Sequence, residues 1–249
     1  MVISSNLDLL TPVSLADMAE AKLMNRIDTK YLSTVANLER LLEMGSGDYM
    51  VLEIESQRRM PYYTRYFDTL DTEMYYEHER GRKARQKIRI RRYESSDGLS
   101  FLEVKDKNNK GLTRKTRIEI DNVSPMSDYG DFISNNSHYA VDRLIPQIEN
   151  HFQRTTLVSN DRTERVTIDT AIEFHNLVTG QDYSLPDVVI IEWKRQPSAH
   201  FSPMKKILKE LGIRESGFSK YCVGMAVTNP QIKRNRLKKK IRTVEHLCH

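Results

Sequence analysis

Six stretches of this chain alternate charged and apolar residues with a period of two, the spacing of a β-strand with one apolar face. The charged sets are Arg26/Asp28/Lys30, Lys87/Arg89/Arg91, Glu103/Lys105, Lys115/Arg117/Glu119, Arg165/Thr167/Asp169 and Glu192/Lys194. On most of them the intervening residues are apolar, as in Ile88/Ile90, Leu102/Val104, Ile118/Ile120, Val166/Ile168 and Ile191/Trp193. An open antiparallel sheet with one wet face gives the same alternation. A solvated face, however, mixes Thr, Ser and Gln with both charge signs, and here the bias is to Arg and Lys. Like charges on neighbouring strands repel unless an anion or a metal separates them. Closing the sheet with the charged face inward gives a cationic tunnel, with helices over the apolar outside and no sheet edges left. The expected fold is therefore α+β, a closed antiparallel barrel with surrounding helices.

Turn and cap signals order the rest. "RIDTKYL" (26–32) reads as a strand, followed by a helix that Ser33 or Thr34 caps and Gly45 stops. "YMVLEIE" and "YYTRYFD" read as strands, and "TLDTEMYYEHERG" as a turn and a short helix. Residues 84–94, 99–106 and 112–121, separated by "SSDG" and "KNNKG", form a meander. The stretch 127–150 reads as mostly helical, then "HFQRTTLVS", "TERVTIDTAIEFHN" and "DVVIIEWKRQ" as strands. Ser202, Pro203 and Gly212 delimit an amphipathic helix, and "GFSKYCVGMAV" reads as a last helix. The expected organisation is an N-terminal segment at 1–21, one domain at 22–228 and a basic tail at 229–249, open between a solvated, disordered end and a binder of nucleic acid, anionic lipid or a long polyphosphate chain.

Charge is concentrated. The net charge is +5, yet residues 80–117 carry fourteen Lys/Arg against four acids, and 233–242 carry seven Lys/Arg and no acid. Two such basic blocks point to an anionic partner. No apolar run approaches the roughly 20 residues that span a bilayer, and the N-terminus lacks the pattern of a signal peptide. Two cysteines, Cys222 and Cys248, make no disulfide framework, which fits a reducing, cytoplasmic setting.

A tunnel lined by Arg and Lys suits a triphosphate or polyphosphate. Arg grips phosphate oxygens bidentately, and Lys acts as a point charge. The few inward carboxylates suit Mn²⁺ or Mg²⁺, hard cations that take oxygen ligands and bridge to phosphates. The seven histidines show neither HxxxH nor HExxH spacing. There is no Walker-type glycine loop, so phosphates would be gripped by side chains rather than by a backbone cradle.

In order along the chain, "TKYL", "YFDT" (66–69), "KIRIRRY" (87–93), "FLEVK" (101–105), "RKTR" (114–117), "FQRT" (152–155), "RVTIDT" (165–170), "IIEWK" (190–194) and "FSKY" (218–221) resemble a known set. That set is the polyphosphate polymerase domain of the vacuolar transporter chaperone (VTC) complex, within the triphosphate tunnel metalloenzymes. The resemblance covers roughly residues 22–228. It implies a closed antiparallel eight-stranded β-barrel, the triphosphate tunnel, with surrounding helices, and metal-dependent transfer of the terminal phosphoryl group of a nucleoside triphosphate onto polyphosphate. By position it implies Arg89, Arg91, Lys105 and Arg165 as catalytic, and Lys30, Lys115, Arg117, Arg154, Lys194 and Lys220 as phosphate ligands. Glu192 would be the metal carboxylate and Glu103 a second one, although pairing of Glu103 with a tunnel cation is equally expected. Two departures stand out. Gly217 replaces a lysine common before "FSK". Arg26-x-Asp28-x-Lys30 stands where the cyclase and thiamine triphosphatase branch has two glutamates, which favours the VTC branch.

Two other readings remain open. A tunnel-type triphosphatase acting on inorganic triphosphate or an RNA 5′-triphosphate shares the tunnel and differs only in the attacking group. A non-catalytic binder of polyphosphate or RNA, with the basic tail reaching nucleic acid, would need no inward metal carboxylate.

Overall fold

The computed structural model describes residues 6–19, 26–94, 98–121, 125–197 and 202–248. The expected turn at 95–98 lies outside these at 95–97, and so do residues 1–5 and 20–21 of the expected segment 1–21.

The chain opens with β1 (Thr11–Val13), α1 (Leu15–Ala19), β2 (Ile27–Thr34), α2 (Val35–Gly45), β3 (Tyr49–Leu52) and β4 (Met60–Asp68). Then come α3 (Glu73–Glu79) and the meander β5 (Arg85–Tyr93), β6 (Ser100–Lys107) and β7 (Thr113–Ile120). The second half has α4 (Gly130–Asn136), β8 (Ile145–Ser159), β9 (Glu164–Asn176), β10 (Asp182–Leu185) and β11 (Val188–Arg195). It ends with α5 (Pro203–Glu210), α6 (Lys220–Thr228) and α7 (Lys238–Leu247). The cap signals hold: the Thr34 side chain accepts from Asn37 N, and the Ser202 side chain from Lys205 N. Gly212 follows α5 at φ +66°, a left-handed conformation that glycine adopts without strain.

Eight strands run in the order β2-β11-β9-β8-β4-β5-β6-β7, every pairing antiparallel. β1, β3 and β10 attach to the side of this path. Among the described residues no hydrogen bonds join β2 to β7, so the expected closed barrel is a curled sheet with a seam. The reason lies at the outer edge of β2. Glu215 bridges to Tyr31, and Ser216 N donates to Lys30 O at 2.8 Å, so the loop before α6 takes the backbone groups that β7 would need.

The two faces separate as the alternation requires. Outside, Ile88, Leu102, Val104 and Ile120 pack with Ile133 of α4, and Val166, Ile168, Val189, Ile191 and Trp193 pack with α2 and α5. Each side chain of this kind, fully buried, contributes about 1.5–3 kcal/mol. Inside, one end is apolar and is filled by α6, whose Cys222, Val223 and Met225 meet Ile148, Ile172, Phe174 and Val188. A Cβ at Gly224 would lie 2.6 Å from Phe174 Cδ1 and 2.7 Å from Ile148 Cδ1, so only glycine lets the helix seat this deeply.

Two further expectations change. The helix expected across 127–150 is limited to α4 and two 3-10 turns, and β8 begins at Ile145, because Ile145–Asn150 pair with β4. The tail is folded rather than disordered. Ile241 and Val244 of α7 are buried, and Val244 joins the core around α6. No helix among the described residues is long and apolar enough to cross a membrane.

Candidate functional site

Beside the apolar filling, the inward face encloses a cavity of about 150 Å³. Seven cations line it: Lys30 of β2, Lys87, Arg89 and Arg91 of β5, Lys105 of β6, Arg154 of β8 and Lys220 of α6. Among the described residues only two carboxylates do so, Asp169 of β9 and Glu192 of β11.

Registers explain the convergence. Lys87 faces Lys105, and Arg89 faces Glu103, across β5 and β6. Tyr66 faces Arg89 across β4 and β5. Arg154 faces Asp169 across β8 and β9, and Glu192 faces Lys30 across β11 and β2. Period two then sends each of these side chains to the same side.

Three clusters fix the groups. Arg154 donates to both oxygens of Asp169, at 2.6 Å from Nε and 2.8 Å from Nη2, and Lys220 pairs with the second oxygen. Arg89 grips the fully buried Glu103 at 2.6 and 2.7 Å, and Lys115 pairs with its other oxygen. Glu192 pairs with Lys194 through one oxygen and stands 3.7 Å from Lys30 through the other. The start of α6 completes the wall: Lys30 donates to Phe218 O at 3.3 Å and Lys87 to Ser219 Oγ at 2.9 Å. The positive end of the α6 dipole therefore adds to the cationic field.

Burial and the crowding of like charge shift the amines. Burial, with Lys30 and Arg85 nearby, pushes Lys87 down to about 8. Arg89, together with burial, pushes Lys105 down to about 6. Burial, with Arg154 beside it, brings Lys220 down to about 7 despite Asp169. The carboxylates move the other way. Burial opposes their charge, but Arg154 and Lys220 hold Asp169 well below the usual range, as Arg89 and Arg91 do Glu103 and Lys30 and Lys194 do Glu192.

Arg91 is the exception. It is buried, its Nε has no hydrogen-bond partner, and it makes no ion pair with a carboxylate among the described residues. Its guanidinium sits 5.5 Å from the Tyr62 ring centroid. Burial, with Arg89 and Arg154 nearby, lowers its affinity for the proton. A cation in that state is short of an anionic partner.

Of the residues named from the sequence, Lys30, Arg89, Arg91, Lys105, Arg154, Lys220 and Glu192 line the cavity. Glu103 and Lys115 stand behind it, joined to Arg89 and to each other. Lys194 touches it through Glu192. Arg117 lies on exposed β7 with its guanidinium 4.5 Å from the Phe101 ring centroid. Arg165 shares the inward face but lies farther along β9, where it donates to Met18 O at 3.2 Å. Lys87, Tyr66 and Asp169 join the wall without having been named as site residues. The same alternation that singles out Arg89 and Arg91 also contains Lys87.

Glu103 is a poor metal ligand here, since both oxygens are held by cations. Among the described residues no three His, Cys, Asp or Glu side chains gather as a metal site. Glu192, with one oxygen only loosely engaged by Lys30, is the lining carboxylate that fits a hard cation, provided that phosphate oxygens and water supply the other ligands. Chemically, the cavity can take a compact, strongly charged oligoanion with oxygens on several sides.

A solved structure of HpAC1 from Hippeastrum, assigned as an adenylyl cyclase and described as having a dominant triphosphatase activity, is similar with a TM-score of 0.53. The two are 17% identical over 82% of this chain and 96% of that one. The PH1819 protein from Pyrococcus horikoshii OT3 is 13% identical over 78% of this chain and 96% of its own, with a TM-score of 0.43. No curated protein matches the sequence. The VTC domain model matches residues 25–229, which include every strand of the eight-strand path and every residue lining the cavity. The chain belongs to the VTC domain family.

Proposed function

We propose that this protein is a metal-dependent polyphosphate polymerase that transfers the terminal phosphoryl group of a nucleoside triphosphate onto polyphosphate. The observation that carries the reading is the convergence of seven cations on one cavity with Arg91 lacking a carboxylate partner. Phosphoryl transfer needs in-line positioning and neutralisation of spread charge more than covalent help from the protein.

Arg91 and Arg89 would orient the transferring phosphoryl, with Arg89 held in place by Glu103. Lys105, Lys87 and Lys30 would hold the neighbouring phosphates, and Lys220 and Arg154 those on the side of α6. The terminal oxygen of polyphosphate attacks the γ-phosphorus, the bond to the β-phosphate oxygen breaks, and the nucleoside diphosphate leaves. Glu192 would hold Mn²⁺ or Mg²⁺, which when bound would draw charge from phosphate oxygens. Lys115, Lys194 and Arg117 would act from the periphery, and Arg165 would meet only a phosphate chain extended along β9.

Hydrolysis is the second reading, favoured by the likeness to HpAC1, which is described as having a dominant triphosphatase activity. Incubation with ATP and Mn²⁺, followed by gel electrophoresis, separates the two. A ladder of long chains supports polymerisation. Orthophosphate alone makes water the acceptor and overturns the polymerase reading. Neither product leaves a polyanion binder.

A further inference from the structure

A second cavity, of about 410 Å³, opens beside the first and shares Lys30, Lys87, Phe218 and Ser219 with it. Its other charged walls are Arg85, Lys240, Asp28 and Glu215. Asp28 is already engaged by Arg26 at 3.0 Å. His78 also lines the cavity; burial, with Lys87 and Arg85 nearby, pushes its imidazole down to about 2, and its Nδ1 has no hydrogen-bond partner. A neutral ring and four cations thus face a space that adjoins the first cavity across Lys30, Lys87, Phe218 and Ser219.

Lys240 comes from α7, beyond the residues 25–229 that match the VTC domain. Its place is built, not incidental. Ile241 and Val244 anchor the helix in the core. Arg236 N donates to Glu79 Oε1 at 3.1 Å, Tyr75 OH to Lys233 O at 3.0 Å, and Arg234 Nη1 to Ala226 O at 2.8 Å. These bonds hold the Lys240 amine 3.8 Å from where a Cβ on Gly217 would lie. Burial and the nearby Lys30 lower its proton affinity, as expected for a cation facing other cations. Ordering the approach to this lysine has already been met by folding, so a ligand need not supply that entropy.

We infer that the second cavity is a subsite for the run of phosphates beyond those in the first, with Lys240 selecting long phosphate chains over triphosphate. The inference rests on the reading that the first cavity takes a phosphate chain. Lys30 and Lys87 line both spaces, and Arg85 and Lys240 carry the cationic lining on into the second.

The test is binding without metal or turnover, by titration calorimetry with inorganic tripolyphosphate and with long-chain polyphosphate. Lys240→Glu is expected to weaken long-chain binding by about tenfold, the loss of one charge-assisted contact, and to leave tripolyphosphate binding unchanged. Lys240→Gln should give the same pattern at smaller size. Lys239→Glu makes the same charge change at an exposed neighbour and should do neither. Equal weakening of both ligands, no weakening of either, or the same effect from Lys239→Glu overturns the subsite. Failure of the unaltered protein to bind tripolyphosphate overturns the parent reading instead, and absence of turnover alone touches only the chemistry.

Discussion

Lys87 on β5 stands directly opposite Lys105 on β6, on the inward side of the sheet. Two ammonium groups so placed destabilise each other, and an anion between them reverses the sign. Lys105 is pushed down to about 6 by Arg89 and burial, Lys220 to about 7 and Lys87 to about 8 by burial first. An unfolded lysine titrates near about 10.4. The unfolded chain therefore binds more protons than the folded one above about pH 6, and stability rises with pH in that window. The thermal midpoint of the ligand-free protein is expected to climb between about pH 6 and pH 9. Tripolyphosphate affinity should fall over the same range, with proton uptake on binding near neutral pH. A flat midpoint and no proton uptake would sink this account.

Arg89 and Arg91 lie two residues apart on one strand face and should respond differently to removal. Arg89→Ala leaves Glu103 fully buried with Lys115 alone, and breaking such a pair costs about 3–5 kcal/mol. Arg91→Ala removes a buried cation that has no carboxylate partner, so the ligand-free fold should be as stable or more so. Both should reduce turnover by at least about a hundredfold. Thermal melts beside rate measurements check this. A large loss of stability in Arg91→Ala is the adverse outcome.

Glu192→Gln keeps the shape of the side chain and removes its charge. The Mn²⁺ or Mg²⁺ concentration for half-maximal rate should rise by about tenfold or more. Metal-free tripolyphosphate binding should hold or strengthen, because Lys30 and Lys194 lose a competing partner. An unchanged metal dependence would remove Glu192 from the metal.

Gly224→Ala tests the seating of α6. The added methyl meets Phe174 and Ile148 inside van der Waals contact, so the helix must shift. The expected cost is about 1–3 kcal/mol. The shift should also part Lys220 from Asp169 and weaken anion binding. A wild-type midpoint with unchanged binding would show that the helix end has slack.

Much of this was legible because a period of two marks a face unambiguously. Ile88 and Ile90 turn outward and Arg89 inward wherever β5 sits, and the meander β5-β6-β7 follows from its turns. The alternation does not report position along the strand. Arg165 and Asp169 share a face, but four residues of strand are about 13 Å, so Asp169 reaches the cavity and Arg165 meets Met18 instead. Closure was illegible for a different reason. Whether β7 or Glu215–Ser216 takes the edge of β2 depends on a loop without periodicity. The tail misled because seven cations mask the spacing of Leu237, Ile241 and Val244, which is a helical one.

The pairing of β2 with β11 has a consequence for how the protein is made. Lys30 is among the first parts of the domain to be synthesised, and Glu192 and Lys220 among the last. Their contacts carry a high contact order, so the final assembly step is expected to be slow relative to the local β5-β6-β7 hairpins. On the ribosome those hairpins can form early, with their arginines exposed and without Asp169, Glu192 or the start of α6 to complete the pocket. The grip on an anion is thus assembled only when the ends of the domain meet, and a chain ending before Lys220 holds the charges without the site.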